Sequence, residues 1–198
     1  MDAIETLMTE HRLIKQVLDA LVGFAQEAGR TGATEQEELG RFVTFFREFA
    51  DACHHGKEED VLFTAMTAHG FPSEAGPIAV MLHEHDQGRA LVTRLAELAG
   101  QAAPWSAEDL QSLAGLAGAV SEILHAHIHQ EDAILYPMAE QRLPAEALEG
   151  VSRDCERFEA ERAGAHERLH ALAEGLVARH AHVAHPAPRG PQRLGCCA

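Results

Sequence analysis

Apolar positions recur at steps of three and four through most of the chain, a spacing that predicts helices. Ile4, Leu7, Met8, His11, Ile14, Leu18, Leu21 and Ala25 form one continuous stripe. It predicts a first helix over residues 2–28 with Asp2 as its cap. Gly29 to Thr34 reads as a loop. A second helix is predicted from about Glu35 to His69, with Val43, Phe46, Ala50, His54, Glu58, Val61 and Ala65 on one face. Gly70-Phe71-Pro72-Ser73 breaks it. A third helix spans roughly Glu74 to Ala99 and turns Ile78, Met81, Leu82, His85, Val92 and Leu95 inward. Beyond Pro104, Ser106 and Asp109 supply cap chemistry for a fourth helix, which runs to about Gln141. Its inward face is Leu113, Val120, Ile123, Leu124, His127, Glu131, Ile134, Leu135 and Met138. Leu143-Pro144 ends it, and a fifth helix is predicted from about Ala145 to His180 as a cover on the others. No segment shows the alternation of a strand. From Ala181 the His, Pro, Gly and Arg content reads as a flexible tail. The expected fold is all-α: an up-down four-helix bundle over residues 1–142, a covering helix over 143–180 and a disordered tail over 181–198.

Composition narrows the function classes. The 198 residues carry a net charge of −15, which argues against nucleic acid and anionic membrane surfaces as partners. No stretch approaches ~20 uninterrupted apolar residues, so no membrane span is expected. The first residues lack the basic-then-apolar layout of a secretion signal, and the cytoplasm is the expected compartment. Cys53, Cys155, Cys196 and Cys197 have no framework spacing, in keeping with a reducing environment. The count that stands out is histidine, at 14.

Several of these histidines sit at helical spacing beside carboxylates. His54 and Glu58 are four apart and project from one face of the second helix. The phrase recurs without a gap in the fourth helix, where His127 aligns with His54 and Glu131 with Glu58. Two helices that each carry His-x-x-x-Glu are what a bundle needs to hold two metal ions between them. His11 and His85 lie on the inward stripes of the first and third helices. Counting at ~1.5 Å per residue along antiparallel neighbours brings all four inward histidines and both carboxylates to one level. Burying Glu58 and Glu131 without a partner would be costly, and a bound cation removes that cost. His55 and Glu59 point about 100° away from His54 and Glu58 on an α-helix. His125 and His129, on the polar side of the fourth helix, read as solvated or supporting groups.

One His, then His-x-x-x-Glu, then one His, then His-x-x-x-Glu resembles the hemerythrin-like (HHE cation-binding) domains. The phrases that carry the likeness run from His54 to Phe63, from Met81 to Arg89 and from His127 to Pro137, and it covers roughly residues 5–140. The resemblance implies a non-haem di-iron centre in a four-helix bundle, with or without an oxo or hydroxo bridge, and with carboxylates bridging two iron ions. The implied metal ligands are His11, His54, Glu58, His85, His127 and Glu131. The chain also departs from the oxygen carriers. Where they place a second histidine four residues from the third-helix one, this chain has Met81 and Arg89. They also use an Asp five residues after the fourth-helix His. Asp132 stands at that offset and competes with Glu131, which the internal repeat favours. Fewer histidines leave more positions for solvent, peroxide or nitric oxide, so the expectation shifts from oxygen carriage toward a reactive or sensing role.

The expected partner is thus a small diatomic molecule or peroxide, enclosed by Ile14, Leu62, Leu82 and Ile134. Glu59, Glu84, His125 or Tyr136 are candidates to orient the ligand imidazoles. Whether turnover accompanies binding is not decided by these residues. An alternative is an iron-donating or interaction module with a labile metal site. A third reading comes from His166-Glu167-Arg168-Leu169-His170, a literal His-Glu-x-x-His of the zinc proteases. Ala173 and Leu176 stand where the longer form of that motif needs Gly and His, and no sheet is expected to bind a peptide.

Overall fold

The computed structural model describes residues 2–180. The tail expected over 181–198 lies outside the described residues. Among these there are six helices and no strand. Helix α1 spans Ala3–Thr31; the Asp2 side chain accepts from the Ile4 N–H at 2.9 Å, and Gly32 (φ 72°) ends the helix in the left-handed region. Helix α2 spans 36–68, α3 spans Gly76–Ala99 and α4 spans 107–142. The capping box of Ser106 and Asp109 that opens α4 is present.

The predicted bundle is the observed one. Helix α4 packs along α1 and α3, and α3 packs along α2. The single covering helix is instead two, α5 (Ala145–Ala160) and α6 (Ala163–His180), separated by a turn at 161–162. The break lets the two halves cover different parts of the bundle. Helix α5 lies on α1 and the later part of α2, with Val151 and Cys155 buried. Helix α6 lies on α1 and α2 and seats Leu169, Ala173 and Leu176 in the core. Gly56 permits the close approach of α5: a Cβ there would stand 2.8 Å from Cζ of Phe158.

Two helices are not α-helical throughout. Residues Phe46–His55 and Glu58–Phe63 of α2 and Glu131–Leu135 of α4 are π-helical. In α4 the cause is Pro137, which has no N–H to donate and whose ring crowds the carbonyl four residues back. A π turn contains one extra residue, and each extra residue rotates the remainder of the helix by about 100°. The inward stripe moves accordingly. Leu62 and Met66 are buried where Val61 and Ala65 were expected, and Leu135 is buried while Ile134 is 51% exposed. Ile134 therefore does not enclose the centre of the bundle.

The apolar core falls into two clusters. One, around Leu18, Leu21, Phe42 and Val120, fills the bundle toward the α1–α2 loop. The other, around Leu7, Leu62, Met66 and Tyr136, fills the opposite end. Between them lies a layer of buried histidines and carboxylates.

Candidate metal centre

Seven side chains from four helices form this layer: His11 on α1, His54, His55 and Glu58 on α2, His85 on α3, and His127 and Glu131 on α4. None is more than 6% exposed. They form two groups that share Glu58. His11, His54, Glu58 and Glu131 can offer ligand atoms all within 4.8 Å of one another, and so can His55, Glu58, His85 and His127.

Four of the imidazoles are oriented in the same way. The Nδ1 of His11 meets Asp132 at 2.7 Å, that of His54 meets Glu10 at 2.8 Å, that of His85 meets Glu59 at 2.6 Å and that of His127 meets Glu84 at 2.9 Å. An imidazole facing a carboxylate donates from that nitrogen, which leaves Nε2 unprotonated in the neutral ring. All four Nε2 atoms then point into the layer. His11 and His127 each place Nε2 3.2 Å from Oε2 of Glu131. The Nε2 of His85 lies 3.5 Å from Oε2 of Glu58 and 3.1 Å from Nε2 of His127. His54 places Nε2 3.7 Å from the same Glu58 oxygen.

These are acceptors facing acceptors. Oε2 of Glu58 and both carboxylate oxygens of Glu131 are buried without a hydrogen-bond partner among the described residues. The remaining oxygen, Oε1 of Glu58, accepts from the Tyr136 hydroxyl at 2.6 Å. Protons or cations placed among the lone pairs relieve this repulsion, and neutral imidazole with carboxylate suits a first-row transition metal. Carboxylates on the outer imidazole nitrogens are the usual companions of such ligands. The donor set thus fits a metal.

The protonation equilibria reflect the same crowding. Burial and the nearby Glu131 carboxylate push Glu58 well above the usual carboxylic range. Burial also acts on Glu131, but the proximity of the His11 and His127 imidazoles, each 3.2 Å away, prevails and holds it well below the usual carboxylate range. Burial lowers His54 to about 4 and His55 to about 3, in the latter case with His85 adding to the effect. Burial works against protonation of His11 and His127 too, yet their carboxylate neighbours raise both.

A further charge lies just outside. Lys57, only 1% exposed, bridges Glu10 of α1 and Glu159 of α5. Burial alone would raise Glu10; His54 and the Lys57 ammonium bring it down to about 2.

A family model described as the hemerythrin HHE cation-binding domain matches residues 2–139, which include all seven of these side chains. The chain belongs to that family. It is also 30% identical over 133 residues to the iron-sulfur cluster repair protein DnrN of Neisseria gonorrhoeae, a match covering 66% of this chain and 84% of that relative. As an HHE domain, the protein is a metal-binding helical bundle, and its buried His and Glu clusters are suited to a metal site. Helices α5 and α6 lie beyond the matched residues.

All six residues singled out from the sequence of this HHE domain come together in the layer. Asp132, the rival of Glu131, stands outside it and holds Nδ1 of His11. Glu59 and Glu84 orient imidazoles as expected, and Tyr136 reaches both Glu58 and, at 3.4 Å, Nε2 of His11. His125 faces Asp19 at 3.1 Å, away from the layer. His55 was missed. The π-helical stretch brings it in beside His54, and its spacing of three from Glu58 was the signal available. Glu10 was missed too, because its partner is on another helix. The His-Glu-x-x-His of α6 forms no metal-holding group among the described residues; the rings of His166 and His170 pack on Phe49 at 5.8 and 6.1 Å. Among the described residues no helix is long and apolar enough to cross a membrane.

Proposed function

We propose that the protein holds two iron ions in this layer and binds, senses or reacts with a small molecule such as oxygen, peroxide or nitric oxide. The observation that carries the reading is the set of three buried carboxylate oxygens without hydrogen bonds, faced by imidazole Nε2 atoms. His11 and His54 would hold one ion, and His85, His127 and His55 the other. Glu58 and Glu131 would lie between them. Iron bound there would supply a redox-active Lewis acid pair able to bind a diatomic ligand.

The chain's own residues do the rest. Asp132, Glu10, Glu59 and Glu84 fix the imidazole tautomers by accepting from Nδ1. Arg89, bonded to Glu59 at 2.7 Å, steadies the carboxylate that orients His85. The Tyr136 hydroxyl donates a hydrogen bond to Glu58 Oε1 and lies within reach of His11. The two apolar clusters exclude bulk water from both sides.

The name of the Neisseria relative favours a second reading, in which the iron is donated rather than used in place. Iron analysis and the visible spectrum of the purified protein, each before and after a competing chelator, separate the two. The first reading predicts two irons per chain that survive the chelator and respond to nitric oxide. Rapid loss of iron to the chelator supports donation. A protein without iron, or with iron unchanged by His54→Ala, overturns both.

A further inference from the structure

We infer that His55 is the exchangeable member of this centre, and that the cavity beside it admits the small uncharged molecule that takes its place. The inference rests on the two-metal reading above. Each of the other four imidazoles has its Nδ1 held by a carboxylate at 2.9 Å or less. His55 does not. Its Nδ1 stands 3.5 Å from Oδ1 of Asp51, buried and without a hydrogen bond. Asp51 is engaged elsewhere: the same Oδ1 accepts from Nε and Nη2 of Arg89 at 2.9 and 2.8 Å. What holds the His55 ring is stacking on His85, with centroids 3.8 Å apart and planes 13° from parallel. An imidazole whose outer nitrogen is not tied down is the weaker and more mobile ligand.

The space for exchange is adjacent. A cavity of about 200 Å³ opens beside His55, with Phe46, Ala50, Val92 and Leu124 as its apolar wall and Arg47, Asp51 and Arg89 as its charged one. It is smaller than the roughly 300–1,000 Å³ pockets that take drug-sized ligands. Its apolar side, formed by Phe46, Ala50, Val92 and Leu124, favours an uncharged occupant over an ion, which would lose hydration there. The Arg89 charge at its edge is already matched by Asp51, Glu59 and Asp86. A diatomic or similarly small neutral molecule fits this description. Gly88 helps to keep the space open: a Cβ there would already touch Leu124 at 3.4 Å, so a longer side chain would have to occupy the cavity or displace Leu124.

The test uses the iron-loaded full chain, its His55→Ala and Ala50→Leu variants, and His85→Ala as a comparison. Iron per chain is measured for each, and nitric oxide is the probe in stopped-flow binding. His55→Ala is expected to retain more iron than His85→Ala and to bind nitric oxide several-fold faster per iron. Ala50→Leu, which fills the cavity, is expected to keep its iron and helical circular dichroism and to bind several-fold slower. His85→Ala is expected to lose iron. Loss of iron from His55→Ala as complete as from His85→Ala would make His55 a fixed ligand and overturn the inference while leaving two-metal binding intact. Wild-type binding rates in both His55→Ala and Ala50→Leu would overturn it equally. An iron-free wild-type protein would remove the two-metal reading itself, and this inference with it.

Discussion

Replacing Lys57 by Met tests how the charge outside the centre is balanced. The ammonium is 1% exposed and lies between Glu10, 5% exposed, and Glu159, 36% exposed. Methionine has a similar reach without the charge, so the substitution removes the cation and leaves the space filled. Glu10 then stays buried with its charge faced by His54 and, at 4.0 Å, by His166. Its displacement from 4.5 to about 2 corresponds to about 3 kcal/mol in favour of the ionised form, supplied by His54 and Lys57 together. Lys57 supplies the smaller share of that after His54, and the contact to the part-exposed Glu159 adds less than about 1 kcal/mol. The loss expected is thus about 2 kcal/mol, below the roughly 3–5 kcal/mol that breaking one side of a fully buried ion pair costs. Urea unfolding of the chelator-treated protein at pH 7, followed by circular dichroism, is the assay. At a slope of about 2 kcal/mol per molar the midpoint falls by about 1 M. Adding Glu10→Gln to Lys57→Met removes the stranded charge, and the double variant recovers part of the loss. A midpoint shift below about 0.3 M, or a double variant no more stable than the single one, would refute the reasoning.

The same geometry sets three other outcomes. His55 is held at about 3 by burial, below its value of about 6.5 in the unfolded chain, so acidification loads the unfolded state with a proton first. The stability of the metal-free wild type relative to His55→Phe is therefore full above pH 7 and declines as pH falls, by about 1 kcal/mol between pH 7.5 and 5.5; an increase would contradict the assignment. Gly56→Ala pushes a methyl group against Phe158 and loosens α5, costing about 1–3 kcal/mol in urea unfolding, with relief when Phe158→Leu is added. Tyr136→Phe removes the one hydrogen bond that the Glu58 carboxyl receives among the described residues and lowers metal-free stability by about 1–3 kcal/mol, a loss that metal binding reduces.

Much of the bundle was legible because its signals are local or depend on length. The Asp2 and Ser106 caps, the Gly70 break and the stripes of α1 and α3 each lie within a few residues. The common depth of His11, His54, His85 and His127 came from counting along antiparallel helices with short loops. What escaped depends on backbone hydrogen bonding or on the neighbouring helix. The π turns of α2 carry no residue that marks them, and they moved the buried stripe from Val61 to Leu62 and brought His55 inward. In α4 Pro137 was a visible mark, yet its effect on Ile134 and Leu135 depends on how the helix widens around it. The link from Glu10 to His54 spans two helices and has no spacing to read. The turn at 161–162 reflects how far α5 and α6 must reach over the bundle, which no stripe records.

In the proposed centre two metal ions would share Glu58 and Glu131. Iron X-ray absorption on the purified protein, with elemental analysis on the same sample, decides whether they do. Two irons per chain, an iron–iron separation of ~3.5–4 Å and a coordination sphere of nitrogen and oxygen only are expected. A single isolated iron, sulfur in the coordination sphere, or no iron at all would contradict that arrangement.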